Sequence, residues 1–163
     1  MKQIEAIRNN PKYVEHYHRL QTLEENRVFC RHDMTHFLDV ARIAHIQNLE
    51  QGLGIRKEVI YAAALLHDIG KDRQYIDGTP HEIASAETAG EIMRELPEGL
   101  AFSEMEKAMI LDAIRLHRRK SKGRKPLAEL LYKSDKMSRN CFACGAEKQC
   151  NWSTIQKNME ITI

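Results

Sequence analysis

Lys57-Glu58-Val59-Ile60-Tyr61-Ala62-Ala63-Ala64-Leu65-Leu66-His67-Asp68-Ile69-Gly70-Lys71 is the stretch that decides the fold. From Val59 to Leu66 it is apolar on nearly every side, with no strand alternation. It therefore predicts a central, buried helix from Lys57 to Ile69, with Gly70 as a left-handed cap.

The segments on either side repeat the helical pattern. From Met34 to about Gln51, apolar residues Phe37, Val40, Ala41, Ile43, Ala44 and Ile46 recur at helical spacing until Gly52 and Gly54 stop them. Thr79-Pro80-His81-Glu82 combines an N-cap, a first-turn proline and a glutamate placed for a capping box, and predicts a helix to about Leu96. Pro97 and Gly99 break it. Ser103 with Glu106 forms a second capping box for a helix reaching His117, and Pro126 opens another, with Leu127, Leu130 and Leu131, that ends near Met137. Residues 4–26 predict one or two further helices divided near Asn10-Pro11. The reading is all-α, a single bundle of about six to eight helices with no internal repeat.

Polar residues fall on the inward stripes of those helices. His36 precedes Val40 and Ile43 by four and seven residues; His117 follows Ile110, Ala113 and Ile114; Asp135 follows Leu127 and Leu131; His81 leads Ser85, Ala89 and Ile92. One inward histidine usually means a satisfied core hydrogen bond. Several of them, with His67, Asp68 and Asp135, mean something else, because burying unpaired carboxylates among leucines costs several kcal/mol. A cation answers for all of them at once. Imidazole and carboxylate donors without thiolates suit iron, manganese, nickel, cobalt or zinc, with magnesium also admissible, and such centres keep open positions for water and substrate.

The chain of 163 residues is long enough to bury a core without disulfides. It is expected to be one domain: an N-terminal helical segment at 1–30, a metal-binding core at 31–139 and a cysteine-containing tail at 140–163. A net charge of +2 does not suggest bulk polyanion binding, and no aromatic-studded basic face suggests extended single-strand contact, so a nucleic-acid partner is not expected. No apolar run reaches the roughly 20 residues that span a bilayer, and the first residues do not read as a secretory signal. The expected compartment is the cytoplasm. Oligomeric state is not legible.

Three stretches carry a family resemblance: His36-Phe37-Leu38-Asp39-Val40-Ala41-Arg42-Ile43-Ala44, Ala63-Ala64-Leu65-Leu66-His67-Asp68-Ile69-Gly70-Lys71, and Leu131-Tyr132-Lys133-Ser134-Asp135-Lys136-Met137. In order and content they resemble the HD-domain superfamily of metal-dependent phosphohydrolases, distantly its dinucleoside tetraphosphatase-like branch. The resemblance implies that His36, His67, Asp68 and Asp135 ligate a first ion. His81 and His117 match the histidines with which two-metal members hold a second, Asp68 bridging the two. It also implies hydrolysis of a phosphate ester or phosphoanhydride of a nucleotide or similar small phosphorylated metabolite by metal-activated water. Asp68 is then the catalytic bridge, and the Lys71 ammonium lies by the transferring phosphoryl. The alternatives are a nucleotide-binding module without catalysis, or an esterase of nucleic-acid ends.

Seven basic residues, Arg115, Arg118, Arg119, Lys120, Lys122, Arg124 and Lys125, lie between positions 115 and 125, around the last helical histidine. They are candidates for a mouth that draws in polyanionic substrates, with Arg115, Arg118 and, from beyond Asp135, Arg139 as phosphate contacts. Two details depart from the tetraphosphatase branch: Arg118 stands where threonine is favoured, and no proline precedes Arg139. His32, four residues before His36, is read as a neighbour of the site or a surface residue rather than a ligand. His16, His18 and His45 read as surface or core packing. Cys141, Cys144 and Cys150 form C-x2-C-x5-C, the opening of a zinc knuckle without a fourth ligand, which Cys30 supplies only if the tail folds back. The default is a reduced, cysteine-rich loop over the site, with Trp152 and Ile155 anchoring the tail.

Overall fold

The computed structural model describes residues 1–118 and 123–161, and among them every regular element is helical. The α-helices are α1 (Lys2–Arg8), α2 (Pro11–Leu23), α3 (Met34–Glu50), α4 (Lys57–Leu66), α5 (Lys71–Ile76), α6 (His81–Arg94), α7 (Glu104–Leu116) and α8 (Pro126–Met137). Short 3-10 turns occur at Glu98–Leu100, Cys141–Ala143 and Glu147–Gln149. No helix among these residues is long and apolar enough to cross a membrane.

Helix α4 is the axis of the bundle. Val59, Ile60 and Ala62 through Leu66 are all buried, and α4 packs on α1, α3, α6, α7 and α8. Each fully buried leucine or isoleucine there contributes about 1.5–3 kcal/mol relative to exposure. The apolar stripes of the surrounding helices close on it, so the end of α4 meets the starts of α3 and α6 and the ends of α7 and α8.

Local signals explain most of the boundaries. Asn10 caps α2, its Oδ1 accepting from the Lys12 N–H at 2.9 Å with Pro11 at the first position. Ser103 and Glu106 form the expected capping box of α7. Four expectations need correction. The central helix ends at Leu66 rather than Ile69, and Gly70 is not left-handed, with φ −90°. A Cβ on Gly70 would lie 2.4 Å from the Ser85 backbone nitrogen and 2.5 Å from the Ala84 carbonyl carbon, so close approach to α6 selects glycine there. Thr79 does not cap α6: Pro80 takes that position without a side-chain bond, and the Thr79 N–H turns to the Asp77 carboxylate at 2.8 Å. Ile46 is on the outside of α3, 39% exposed, while Gln47 and Asn48 are buried. Asn48 exchanges two 3.0 Å hydrogen bonds with the Ile55 backbone, closing the loop into α4.

Helix α5 has no counterpart in the sequence reading, because its six residues show no apolar period. A buried charge holds it instead. Asp72 accepts from His16 Nδ1 at 2.9 Å and from Arg19 Nη1 at 3.1 Å, tying α5 to α2. His16 is thus more than packing. The tail does fold back on the bundle: Asn158 Nδ2 donates to the carbonyls of Lys136 and Arg139 at 2.6 and 2.9 Å. Ile155 is 98% exposed and anchors nothing, whereas Trp152 lines a cavity beneath the tail.

Candidate metal centre

Five helix ends deliver six side chains to one buried place. The donor atoms of His36, His67, Asp68 and Asp135 lie within 4.8 Å of one another, as do those of Asp68, His81 and His117. Asp68 belongs to both groups. Its Oδ2 is 3.2 Å from His67 Nε2, and its Oδ1 is 3.3 Å from His81 Nε2 and 3.6 Å from His117 Nε2. Asp135 Oδ1 completes the first group, 3.5 Å from His36 Nε2 and 3.8 Å from His67 Nε2.

The other ring nitrogen of each histidine is spoken for. His67 Nδ1–H donates to the Ala64 carbonyl and His117 Nδ1–H to that of Ile114, both at 2.6 Å, each reaching back one turn along its own helix. His81 Nδ1–H donates to Gln74 Oε1 at 2.6 Å. His36 Nδ1–H donates to Ser138 Oγ at 3.0 Å, whose own hydrogen goes to the Asp135 carbonyl at 2.8 Å. Each bond fixes the tautomer that leaves Nε2 as a lone pair. Four lone pairs and two carboxylates therefore face one another, all acceptors. His67 Nε2 and Asp68 Oδ1 are buried without a hydrogen-bond partner. Such a knot of acceptors is unfavourable unless a cation sits among them, and nitrogen and carboxylate donors at this spacing fit a divalent transition metal. Replacing Ser138 or Gln74 with alanine should weaken metal binding by about 10–100-fold without removing a ligand, measured by competition with a chromogenic chelator.

Electrostatics agrees with the geometry. Burial raises and His67 and His32 lower the Asp68 carboxyl, which ends far below the usual carboxylate range. Burial pushes His36 well below its ordinary value, helped by the charges of Arg139 and His67, and pushes His81 down to about 4, helped by Lys71 and His117. His67 goes the other way. Burial opposes its protonation, but Asp68 and Asp135 push it up to about 10, so without a metal a proton is the cation that the carboxylates hold. The sign follows from linkage: a pKa raised on folding adds stability below the unfolded value of about 6.5, and that stability is lost as pH climbs through 10. Metal-free protein should lose thermal stability over that window, and metal-loaded protein should not.

The remaining expected site residues fall in different places. Burial lowers His32 as it does His81, and Lys71, half-buried at the start of α5, is near enough to both that its charge adds to the lowering. Arg139 is not on an outer rim: it is buried, and its Nη2 is 3.1 Å from His36 Nε2 and 3.4 Å from Asp135 Oδ1. Arg115 is exposed, and Arg118, also exposed, pairs with Glu82 at 3.4 Å. Of the basic run, Arg119, Lys120 and Lys122 lie outside the described residues. Lys125 is paired with Asp112 at 2.7 Å, and Arg124 with Glu129 at 3.2 Å, stacked over Tyr132. These two serve α7 and α8 rather than a mouth.

One residue is closer than the sequence reading placed it. His32 is buried, with Nε2 3.6 Å from Asp68 Oδ2 and Nδ1–H donating to Glu24 Oε1 at 2.7 Å. Tyr75 donates to the same Glu24 oxygen at 2.7 Å. Burial alone would raise the Glu24 carboxyl; His32 and Tyr75 hold it down to about 2. The one sequence signal for His32 was its place four residues before His36.

The HD domain model matches residues 33–140. A protein of Clostridium beijerinckii, described only as an uncharacterized protein, is 43% identical over 161 residues, covering 99% of each chain. No solved structure matches. With that match over more than half its length, laid on the helices that gather the His and Asp side chains, the chain belongs to the HD domain family.

Proposed function

We propose that the chain is a metal-dependent phosphohydrolase that cleaves a phosphate ester or phosphoanhydride of a nucleotide or similar small phosphorylated metabolite, residues 1–163 working as one unit. HD domains are generally hydrolases. The observation that carries the reading is the convergence of acceptor atoms on Asp68, with His67 Nε2 and Asp68 Oδ1 buried and without a hydrogen-bond partner. His36, His67, Asp68 and Asp135 would hold one ion and Asp68, His81 and His117 a second. A bound divalent ion supplies Lewis acidity, lowering the pKa of water toward neutrality and offsetting charge on phosphoryl oxygens.

The chain's own residues do the rest. Ser138, Gln74 and the two backbone carbonyls hold the imidazoles in one orientation, so the donors need no rearrangement during turnover. Lys71, beside His32 and His81, places an ammonium where a phosphoryl oxygen or a leaving oxygen gathers charge. His32, oriented by Glu24, can take up a proton at Nε2 next to Asp68, and the Glu24 carboxylate stabilises the imidazolium that results. A cavity of ≈ 330 Å³ lined by Arg31, His36, Ser138 and Arg139 lies beside the first donor group, a size suited to a small ligand.

The test is turnover of nucleotides, sugar phosphates and dinucleoside polyphosphates with manganese, iron or nickel added. Phosphate release that vanishes in Asp68→Asn supports the proposal. Nucleotide binding with full metal content but no release from any substrate would make the chain a binding module instead.

A further inference from the structure

The four cysteines of the chain, Cys30, Cys141, Cys144 and Cys150, line one cavity of ≈ 340 Å³. They come from opposite ends of the sequence. The C-x2-C-x5-C run supplies three walls, and Cys30, just after α2, reaches the fourth because the tail folds back over the bundle. All four thiols are free. Nothing in the His/Asp centre uses them.

The spacing narrows the ligand. Tetrahedral zinc, with Zn–S of about 2.3 Å, draws its sulfurs to within about 4 Å of one another. Among the described residues, the groups of three or more donors within 4.8 Å are the two that share Asp68, and no three thiols form one. That spread exceeds the edge of a zinc tetrahedron. A four-iron cluster is bound by four thiolates at the corners of a wider body, and C-x2-C with two further cysteines is a sufficient ligand set for it.

The surroundings suit such a body. Phe29 and Trp152 supply apolar wall, while Arg27 and Arg139 line the same cavity and can offset the negative charge of a thiolate-bound cluster; Lys157, also there, is paired with the Glu147 carboxylate at 2.7 Å. The wall is also held in place: Arg27 Nε donates to the Cys30 carbonyl at 2.9 Å, the Phe142 N–H to the Asn158 carbonyl at 3.0 Å, and Lys157 Nζ to the Glu147 carbonyl at 2.8 Å. Burial raises the Cys30 thiol, the neighbouring Cys144 and Cys141 sulfurs add to this, and Arg139 opposes it.

We propose that Cys30, Cys141, Cys144 and Cys150 bind a [4Fe–4S] cluster in this cavity, clipping the C-terminal segment to the strand of chain that precedes α3. Two ferrous and two ferric ions with four sulfides make up the [4Fe–4S]2+ core; ligation forms four Fe–S(Cys) bonds and releases four thiol protons, so that no electron is gained or lost by the protein. Because Arg139 and His32 line this cavity and also touch the His/Asp centre, the cluster would abut the metal site without sharing a ligand with it.

The full chain, reconstituted without oxygen with equal amounts of ferrous and ferric iron and with sulfide, decides this by acid-labile sulfide and Mössbauer spectroscopy on the unaltered protein. The expected result is about four sulfides per chain and a broad visible absorption bleached by dithionite. Cys144→Ser should lose the sulfide, and Asp68→Asn should keep it, which separates this site from the hydrolytic one. Absence of sulfide from the unaltered protein would overturn the proposal, as would a single zinc ion released by Cys144→Ser. Loss of sulfide in Asp68→Asn, with retention in Cys144→Ser, would overturn it equally.

Discussion

Asp68→Asn is expected to empty both donor groups at once and to lower phosphohydrolase turnover by at least about 10³-fold, roughly 4 kcal/mol of transition-state stabilisation. No other side chain belongs to both groups. Its two oxygens face different histidines: Oδ2 is 3.2 Å from His67, and Oδ1 is 3.3 Å and 3.6 Å from His81 and His117. Asparagine keeps the shape but removes the charge, and it substitutes an amide donor for one acceptor. Single-group substitutions set the scale. His36→Ala should release one ion and leave the His81 group filled; His81→Ala should do the reverse. Metal analysis after gel filtration reads all three variants, and an Asp68→Asn protein that keeps two ions would show that the aspartate is not shared.

Gly70→Ala carries the largest expected cost to folding. The added methyl would meet backbone atoms of α6 at 2.4–2.8 Å, and neither helix backbone can yield as the tip of a side chain can. The turn from His67 to Gly70 must then lift from α6, breaking the 3.0 Å bond from the Gly70 N–H to Ser85 Oγ. A loss of about 3 kcal/mol or more follows from overpacking and the lost bond, and for a chain of this size that lowers Tm by roughly 6–12 °C. Asp68 would move away from His81, so metal content should fall with stability. Gly90 offers the contrast. It lies inside α6 with its nearest neighbours at 3.8 and 3.9 Å, so Gly90→Ala should raise stability by about 0.5–1 kcal/mol. Thermal melts of the two variants test the packing account directly.

The ligand set was legible because burial and charge conflict at those positions: His36, His81, His117 and Asp135 fall on apolar stripes that a core would otherwise refuse. Helix α4 was legible for the same reason, its apolar run having no other place. The rest depended on partners that local sequence does not name. Gly70 looks like any helix-ending glycine until Ala84 and Ser85 are brought against it. Helix α5 exists because His16 and Arg19, more than fifty residues earlier, neutralise the buried Asp72. Thr79 has the right chemistry for a cap, but Asp77 engages its backbone first. His32 lacked an apolar register, and its role depends on Glu24, Tyr75 and Asp68 together. The basic run promised a mouth by composition alone, while Arg124 and Lys125 had acidic partners on α8 and α7.

If inward-facing acceptors from five helix ends surround cations, titration of the metal-free chain with manganese, an ion for which thiolates compete poorly, followed by electron paramagnetic resonance, will show it. Two tightly held ions with spin-coupled signals, reduced to one uncoupled ion by His81→Ala, are the predicted result. Contradiction would come from manganese that stays weakly bound and uncoupled, with the same signal in Asp68→Asn as in the unaltered protein.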